Sequence, residues 1–416
     1  MKSKLIIATL LSAAMLVTLF AGCSGATGEY WQSPQGVVSP SETPADTSTP
    51  SETPIDTMIP SETPASPTDA TASPSASPAP VQVIDYDAAF ATFPPDTPMI
   101  TLGDYTVTWA ELFFSIRGNI DGLKQAYGTI PAWSDELYSG MTCADAVLNF
   151  SVNNAKMYKA VEYGATQSGI TLTSDDLATL KADFDNAAAQ NGGDDAFLKL
   201  LWDQNSCYNR DLFDYLIRTS YLADLLFKQQ FGENGASVSD EDAASFTAND
   251  GYLMAKHILR KKQDGVDDSV PLGEMQAIKD QLDNYGGNDL EGYFDELMQA
   301  NTEDTDGLSE FPDGYLFQNG DMVQEFYDAC NALQIGQYSD IVETTYGYHI
   351  ILRLPINYDV IPLKYYSQNN DKTLRNIAAL GMFDNVLAGW SDQLTPVFTD
   401  AYNSIDFAKI FVVTTQ

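Results

Sequence analysis

Apolar residues recur at helical spacing through most of the segment 108–231. Thr108 and Glu111 have the spacing of a capping box, which predicts that a helix begins there, directly after a hairpin at 99–107. The aromatic-rich stripe of the segment 209–231 is typical of a packed core, and the alternative is an apolar groove that holds unfolded chains. The same periodicity predicts helices over 144–163, 174–190, 196–204 and 209–231.

Two short runs of apolar and β-branched residues, around His257 and His349, predict buried strands. A single histidine in such a strand is usually a hydrogen-bonded core residue. These two are the only histidines of the chain, and they lie in matching strands at the two ends of one segment, which favours a shared role. Further helices are predicted between the strands at 272–284 and 290–300, and after them at 371–392.

The first 22 residues have the pattern of an export signal. Two lysines, Lys2 and Lys4, precede an apolar run at 5–21 that is short for a membrane span. The run ends in Leu-Phe-Ala-Gly-Cys, which resembles a bacterial lipobox with Cys23 as the lipidated residue. The alternatives are an ordinary cleaved signal peptide and an uncleaved helical anchor. A lipidated Cys23 would tether the chain to the outer face of the bacterial cell membrane without spanning it.

The segment 23–83 is rich in proline, serine and threonine, and it repeats Pro-Ser-Glu-Thr-Pro from Pro40, Pro50 and Pro60. Such a composition has too few large apolar groups to offset the entropy of ordering, so we expect a disordered stalk. The folded part then begins at about residue 84.

Charge and cysteine usage exclude several classes of function. With 58 acidic against 21 basic residues, the net charge of −37 argues against nucleic acid and anionic membrane surfaces as partners. The cysteines Cys143, Cys207 and Cys330 have no metal-ligand spacing and form no disulfide framework, so we expect them to be free and mostly buried. Neither a metal nor a cofactor is predicted.

Four spaced motifs occur in order between residues 251 and 356. They are His-Ile-Leu from His257, an Asp-Gly turn at Asp313, Gly-x-Met-Val-x-x-Phe from Gly320, and Thr-x-Tyr-Gly-Tyr-His-Ile-Ile from Thr344. Together they resemble the parvulin (PpiC) family of peptidyl-prolyl isomerases. With the helical region and the lipobox cysteine, the whole chain resembles the extracytoplasmic foldases of the PrsA and SurA type.

This resemblance implies an α+β fold in which a mostly helical, discontinuous chaperone domain follows the stalk. A parvulin domain, with a small antiparallel sheet flanked by helices, would be inserted into it. The implied segments are a lipoprotein signal peptide at 1–22, the linker at 23–83, a helical domain at 84–250, the parvulin domain at 251–356 and a completing C-terminal helix at 365–416.

The resemblance also assigns site residues. His257, His349 and Thr344 would share a hydrogen-bond network, and Asp304 would face the reacting amide, with Asp306 as the alternative if the register shifts. The substrate-binding residues would be Phe317, Met322 and Phe326 around the proline ring, with Tyr346 above the network.

The implied function is an extracytoplasmic peptidyl-prolyl isomerase and foldase that acts on unfolded or newly secreted polypeptides with X-Pro bonds. The alternative is a non-catalytic holdase chaperone that uses the parvulin domain as a binding module. A solute-binding lipoprotein is a third possibility, but the helical run 108–231 lacks the alternating strands and helices that such a protein needs.

Overall fold

The computed structural model describes residues 82–138, 140–205, 207–368 and 370–415. The expected signal peptide, the lipidation site Cys23 and the stalk up to residue 81 lie outside the described residues. The expected stalk end at residue 83 is corrected, because strand β1 (Gln82–Ile84) pairs antiparallel with β11 (Val413–Thr415). That pairing joins residues more than three hundred positions apart, so local composition carries no trace of it.

The N-terminal region is helical, with two small hairpins. Thr108 and Glu111 form the capping box that the sequence predicts, and Asn209 caps the last long helix through its side chain. The predicted helices are confirmed, with ends shifted by a few residues. The elements are α1 (Tyr86–Phe90), β2 (Pro98–Leu102), β3 (Tyr105–Thr108), α2 (Trp109–Tyr127), β4 (Glu136–Tyr138), β5 (Met141–Thr142), α3 (Cys143–Ser168), α4 (Ser174–Gln190), α5 (Asp194–Asn205), α6 (Arg210–Phe231), a 3-10 turn (Glu233–Gly235) and α7 (Asp240–Thr247).

Helix α3 continues five residues beyond its predicted end at residue 163. Gly164 lies inside the helix, and the ring of Trp390 occupies the space that a Cβ at this position would need. The helix ends at Gly169, whose left-handed backbone provides the usual C-terminal cap. A contact with the distant C-terminal segment therefore explains this glycine.

The segment between the two histidines forms a four-stranded antiparallel sheet flanked by helices, in the strand order β7-β6-β9-β8. Its central pair places His257 opposite Ile351 and Leu259 opposite His349. Because side chains alternate between the faces of a strand, the two histidines are diagonal neighbours on one face. The elements are β6 (Leu253–Lys261), α8 (Ser269–Asp283), α9 (Leu290–Asn301), α10 (Thr305–Glu310), β7 (Tyr315–Phe317), α11 (Gln324–Ala332), β8 (Val342–Glu343) and β9 (Gly347–Leu354).

The two faces of this sheet have different packing partners. One face packs against α8 and α9 around Ile258 and Phe294. The other carries the histidines and packs against α11 through Phe326 and Cys330. The histidines therefore lie at the floor of a small core beneath α11.

The C-terminal segment returns to the N-terminal region. Its long helix packs on α3, and β10 extends the β2–β3 hairpin. Phe407 and Phe411 join the N-terminal aromatic core. The elements are α12 (Leu363–Tyr366), α13 (Leu374–Asp392), β10 (Pro396–Phe398), α14 (Asp400–Asn403), α15 (Phe407–Ile410) and β11.

The prediction about the cysteines can be compared with the described residues. Cys143, Cys207 and Cys330 are free and buried, as expected. Burial raises the pKa of each thiol, which keeps the sulfur protonated and unreactive near neutral pH. Among the described helices, none combines the length and the apolar character that a bilayer crossing needs.

Candidate functional site

A continuous chain of hydrogen bonds crosses the face of the sheet that carries the histidines. Thr344 Oγ1 lies 2.8 Å from His349 Nε2, and the two Nδ1 atoms of His349 and His257 are 3.0 Å apart. At the other end, His257 Nε2 lies 2.9 Å from Asp304 Oδ2. Tyr315 Oη donates to the same carboxylate oxygen at 2.7 Å. The fold thus brings together side chains that are up to 92 residues apart in the sequence.

Local backbone geometry positions Asp304. It is the N-cap of α10, a short helix that the sequence did not predict, and its side chain accepts a hydrogen bond from the Gly307 amide. Asp304, and not the alternative Asp306, contacts His257. Gly307 is needed there, since a Cβ on it would overlap both Asp304 Oδ2 and Tyr315 Oη.

With both rings neutral, one arrangement of protons satisfies the whole chain; we assign it from the hydrogen-bond network. The ionised carboxylate of Asp304 requires a donor, so His257 carries its proton on Nε2. His257 Nδ1 then accepts from His349 Nδ1–H. His349 Nε2 accepts from the Thr344 hydroxyl, whose oxygen accepts from the Tyr346 amide at 3.1 Å. All donors point in one direction, toward Asp304.

Burial and hydrogen bonding act in opposite directions on the charge of this site. Burial alone would raise the pKa of Asp304, but hydrogen bonds from His257 and Tyr315 outweigh it and hold the pKa at about 2. Burial, together with the neighbouring His257, lowers the pKa of His349 to about 3. At neutral pH the site therefore holds a fixed anion and a neutral His349.

Aromatic side chains line the network. The ring of Phe326 contacts both histidines edge-on, with centroids 5.3 Å from His257 and 5.6 Å from His349. Phe317 is fully buried behind Phe326, and Met322 is half-buried at the edge of the same cluster. In this structure Phe317 supports Phe326, and Met322 is the one of the three with surface that a ligand could reach.

The ring of Tyr346 is 49% exposed, and only its backbone amide contacts the network. Its expected place above the site stays a prediction.

Sequence reasoning assigned no role to Tyr315. The available signal was the two-residue alternation of β7, which puts Tyr315 on the same face as Phe317 and so toward the histidines. The described residues contain no group of three or more histidine, cysteine or acidic side chains that could hold a metal ion.

Comparison with known proteins identifies this segment. Residues 257–354, from the His257 position of β6 to the end of β9, match the family described as Rotamase: PPIC-type PPIASE domain. The segment is a PPIC-type rotamase domain. The four motifs that resemble parvulins lie within or at the edge of this match.

Two curated relatives of the chain carry the same name. The chain is 25% identical over 169 residues to the foldase protein PrsA of Clostridium perfringens, which covers 40% of this chain and 44% of that protein. It is 33% identical over 136 residues to the foldase protein PrsA of Geobacillus sp., which covers 32% of this chain and 44% of that protein. The chain thus spans less than half the length of these relatives.

Solved structures of PrsA are also similar in part. A peptidylprolyl isomerase (PrsA) from Bacillus cereus aligns over 76% of this chain and 99% of its own, at 18% identity and a TM-score of 0.29. PrsA from Bacillus subtilis aligns over 72% of this chain and 91% of its own, at 18% identity and a TM-score of 0.22.

Proposed function

We propose that this protein is an extracytoplasmic peptidyl-prolyl cis-trans isomerase and foldase that assists the folding of secreted polypeptides. The observation that carries the proposal is the one-way hydrogen-bond chain from Thr344 to Asp304, beside Phe326 and inside the matched rotamase segment. The names of the curated relatives support the same reading.

The chemistry required is modest. Rotation about an X-Pro bond crosses a barrier of about 18–20 kcal/mol because twisting removes amide resonance, and no covalent bond has to be broken. A catalyst needs only to bind the twisted amide better than the planar one. A thousandfold acceleration corresponds to about 4 kcal/mol.

We assign this preference for the twisted amide to Asp304. Resonance places partial negative charge on the oxygen of the planar amide, and twisting withdraws it. A fixed anion beside that oxygen disfavours the planar form more than the twisted one. In this mechanism His257 and His349 hold Asp304 ionised and oriented, Thr344 fixes the His349 tautomer, and Met322 contacts the proline ring, with the buried Phe326 supporting the site behind it.

The place of action follows from the N-terminal pattern. The proposal includes cleavage before Cys23 and lipid attachment there, which would hold the protein at the outer face of the cell membrane on the stalk 23–81. The partners are unfolded polypeptides that contain X-Pro bonds. The net charge of −37 disfavours nucleic acid, and the proposed mechanism uses no cofactor.

The decisive test is cis-to-trans isomerisation of short X-Pro peptides by the purified full chain in mild detergent. We expect acceleration that falls at least tenfold in Asp304→Asn, His257→Ala and His349→Ala, with folding checked by circular dichroism. Asp306→Asn is the matched control, because this carboxylate lies two residues away and does not contact His257; its activity should stay within twofold. Absence of acceleration of any peptide by the parent would overturn the isomerase.

The holdase alternative has its own supporting observation. An open concave surface between α3, α4 and α6 has a volume of about 580 Å³ and is lined by Leu172, Leu177 and Leu222 together with the carboxylates Asp211 and Asp214. We propose that 84–250 and 365–416 form one chaperone domain with this surface. Suppression of client aggregation that survives Asp304→Asn would assign holding to the helical domain; loss of suppression in that variant would argue against it.

A further inference from the structure

We propose that Tyr315 is a positioning residue, which fixes the Asp304 carboxylate through a second hydrogen bond on the oxygen that His257 holds. This inference rests on the proposed isomerase function and adds a residue to its site. It stands on the geometry of β7, α10 and the histidine face.

The Asp304 carboxylate accepts hydrogen bonds from three donors, one of which is the Tyr315 hydroxyl. Tyr315 Oη lies 2.7 Å from Asp304 Oδ2, and His257 Nε2 lies 2.9 Å from the same atom. The Gly307 amide is 3.3 Å from Oδ1. Three donors from three elements therefore restrict the rotation of the carboxylate, and removing any one leaves it a wider range of orientations.

The fold restricts the Tyr315 ring as well. Tyr315 pairs with Ala255 across β6 and β7, so its backbone is fixed by the sheet. Its ring packs against Phe311 at 4.7 Å and lies 5.6 Å from the His257 ring. The hydroxyl occupies the space that a side chain at Gly307 would fill. Gly307 therefore leaves the space through which the hydroxyl reaches Asp304.

The hydroxyl stays protonated. Burial raises the pKa of Tyr315 strongly, and the Asp304 carboxylate raises it further. Other charged or titratable groups near the pair are His257 and Lys256 on β6, and Asp306 and Glu310 on α10; His349 lies behind His257. Tyr315 therefore stays a hydrogen-bond donor to Asp304 near neutral pH.

The test compares Tyr315→Phe with Tyr338→Phe. Tyr338 is the matched control because its hydroxyl also donates to a carboxylate, Asp283, at 2.9 Å in the same domain but away from the histidines. We expect kcat/KM to fall about tenfold in Tyr315→Phe and to stay within twofold in Tyr338→Phe. A double-mutant cycle with Asp304→Asn follows, in which Tyr315→Phe should cause no further loss.

A second readout needs no activity. Because the chain has only two histidines, nitrogen-15 histidine labelling of an untagged protein gives signals from His257 and His349 alone. We expect the His257 ring-nitrogen shifts to change in Tyr315→Phe and to be unchanged in Tyr338→Phe. Both substitutions keep the aromatic ring and so retain its packing. Thermal unfolding of the two variants measures whether stability is retained as well.

The outcomes separate the two proposals. Changed His257 shifts in a protein without isomerase activity would support the positioning role of Tyr315 and reject the proposed function. Unchanged shifts, or a tenfold loss that persists in the Asp304→Asn background, would reject the role of Tyr315 and leave the isomerase intact.

Discussion

Two buried polar clusters, one in each region of the molecule, contain carboxyl groups whose pKa values are shifted in opposite directions. In the helical region, Lys159 lies 3.0 Å from Glu111 and 3.1 Å from Glu162, with its ammonium 4.1 Å above the Tyr215 ring. Burial dominates there and raises the pKa of Glu111, although Lys159 and Thr108 both donate to it. In the rotamase domain, hydrogen bonds dominate and lower the pKa of Asp304.

The difference comes from exposure and from neighbouring charge. The side chain of Glu111 is 15% exposed and has a second carboxylate, Glu162, nearby, whereas that of Asp304 is 26% exposed and accepts hydrogen bonds from three donors. The first cluster links α2 and α3 through the ion pair between Glu111 and Lys159, so breaking it should lower the free energy of unfolding. The second is a directional hydrogen-bond chain that ends at one fixed anion, Asp304, so breaking it should affect the site first.

The largest expected effect is on stability, in Lys159→Met. Removing the cation leaves Glu111 buried without its charged partner, so we expect a loss of about 3–5 kcal/mol in the free energy of unfolding. Urea denaturation measures it. Lys199→Met, which breaks an exposed pair with Asp203, is the control and should be unchanged within error. Equal stability of the two variants would show that the buried cluster contributes nothing.

The next effect is a pH dependence caused by His349. Its pKa is about 3 when folded and near 6.5 when unfolded, so between these values only the unfolded state takes up the proton. Stability therefore falls as pH drops from 6.5 toward 3, by about 1.4 kcal/mol per pH unit. Asp304, with a folded pKa of about 2 against 3.8, adds a loss only below about pH 4.

His349→Gln removes the titrating group, so its stability between pH 6 and pH 4.5 should fall less steeply than that of the parent. Urea denaturation at several pH values gives the two slopes. Equal slopes would mean that His349 is protonated in the folded protein, which would contradict the proton arrangement assigned to the network.

The smallest effect concerns the junction between the regions. Arg375 at the start of α13 contacts the Val238 carbonyl, Asp240 and Asp359, and so joins both connectors of the rotamase domain to the helical region. Because the two carboxylates are largely exposed, Arg375→Lys should cost only about 0.5–1 kcal/mol. Hydrogen exchange should quicken at 236–242, while the two clusters keep their protection. Protection lost throughout α2 and α3 would contradict a local role.

Sequence reasoning predicted the elements well where local chemistry sets them. Thr108 with Glu111 marked the start of α2, and the two histidine strands were visible as apolar runs. It missed α10, because Asp304 sits in an acidic stretch whose helical turn depends on a cap and on packing. It also ended α3 five residues too early, because the packing of this helix against the distant C-terminal helix α13 is not visible in the local sequence.

By itself, the sequence predicted the long helices and the two histidine strands, because caps and periodicity are local properties. Through motifs that resemble parvulins, it also indicated candidate site residues. Only the tertiary structure decided that Asp304, and not Asp306, contacts His257, that Tyr315 shares the same carboxylate oxygen, and that β11 returns to β1. These contacts depend on strand register and on how distant segments come together. A shift of one residue in the register would bring other atoms within hydrogen-bond distance.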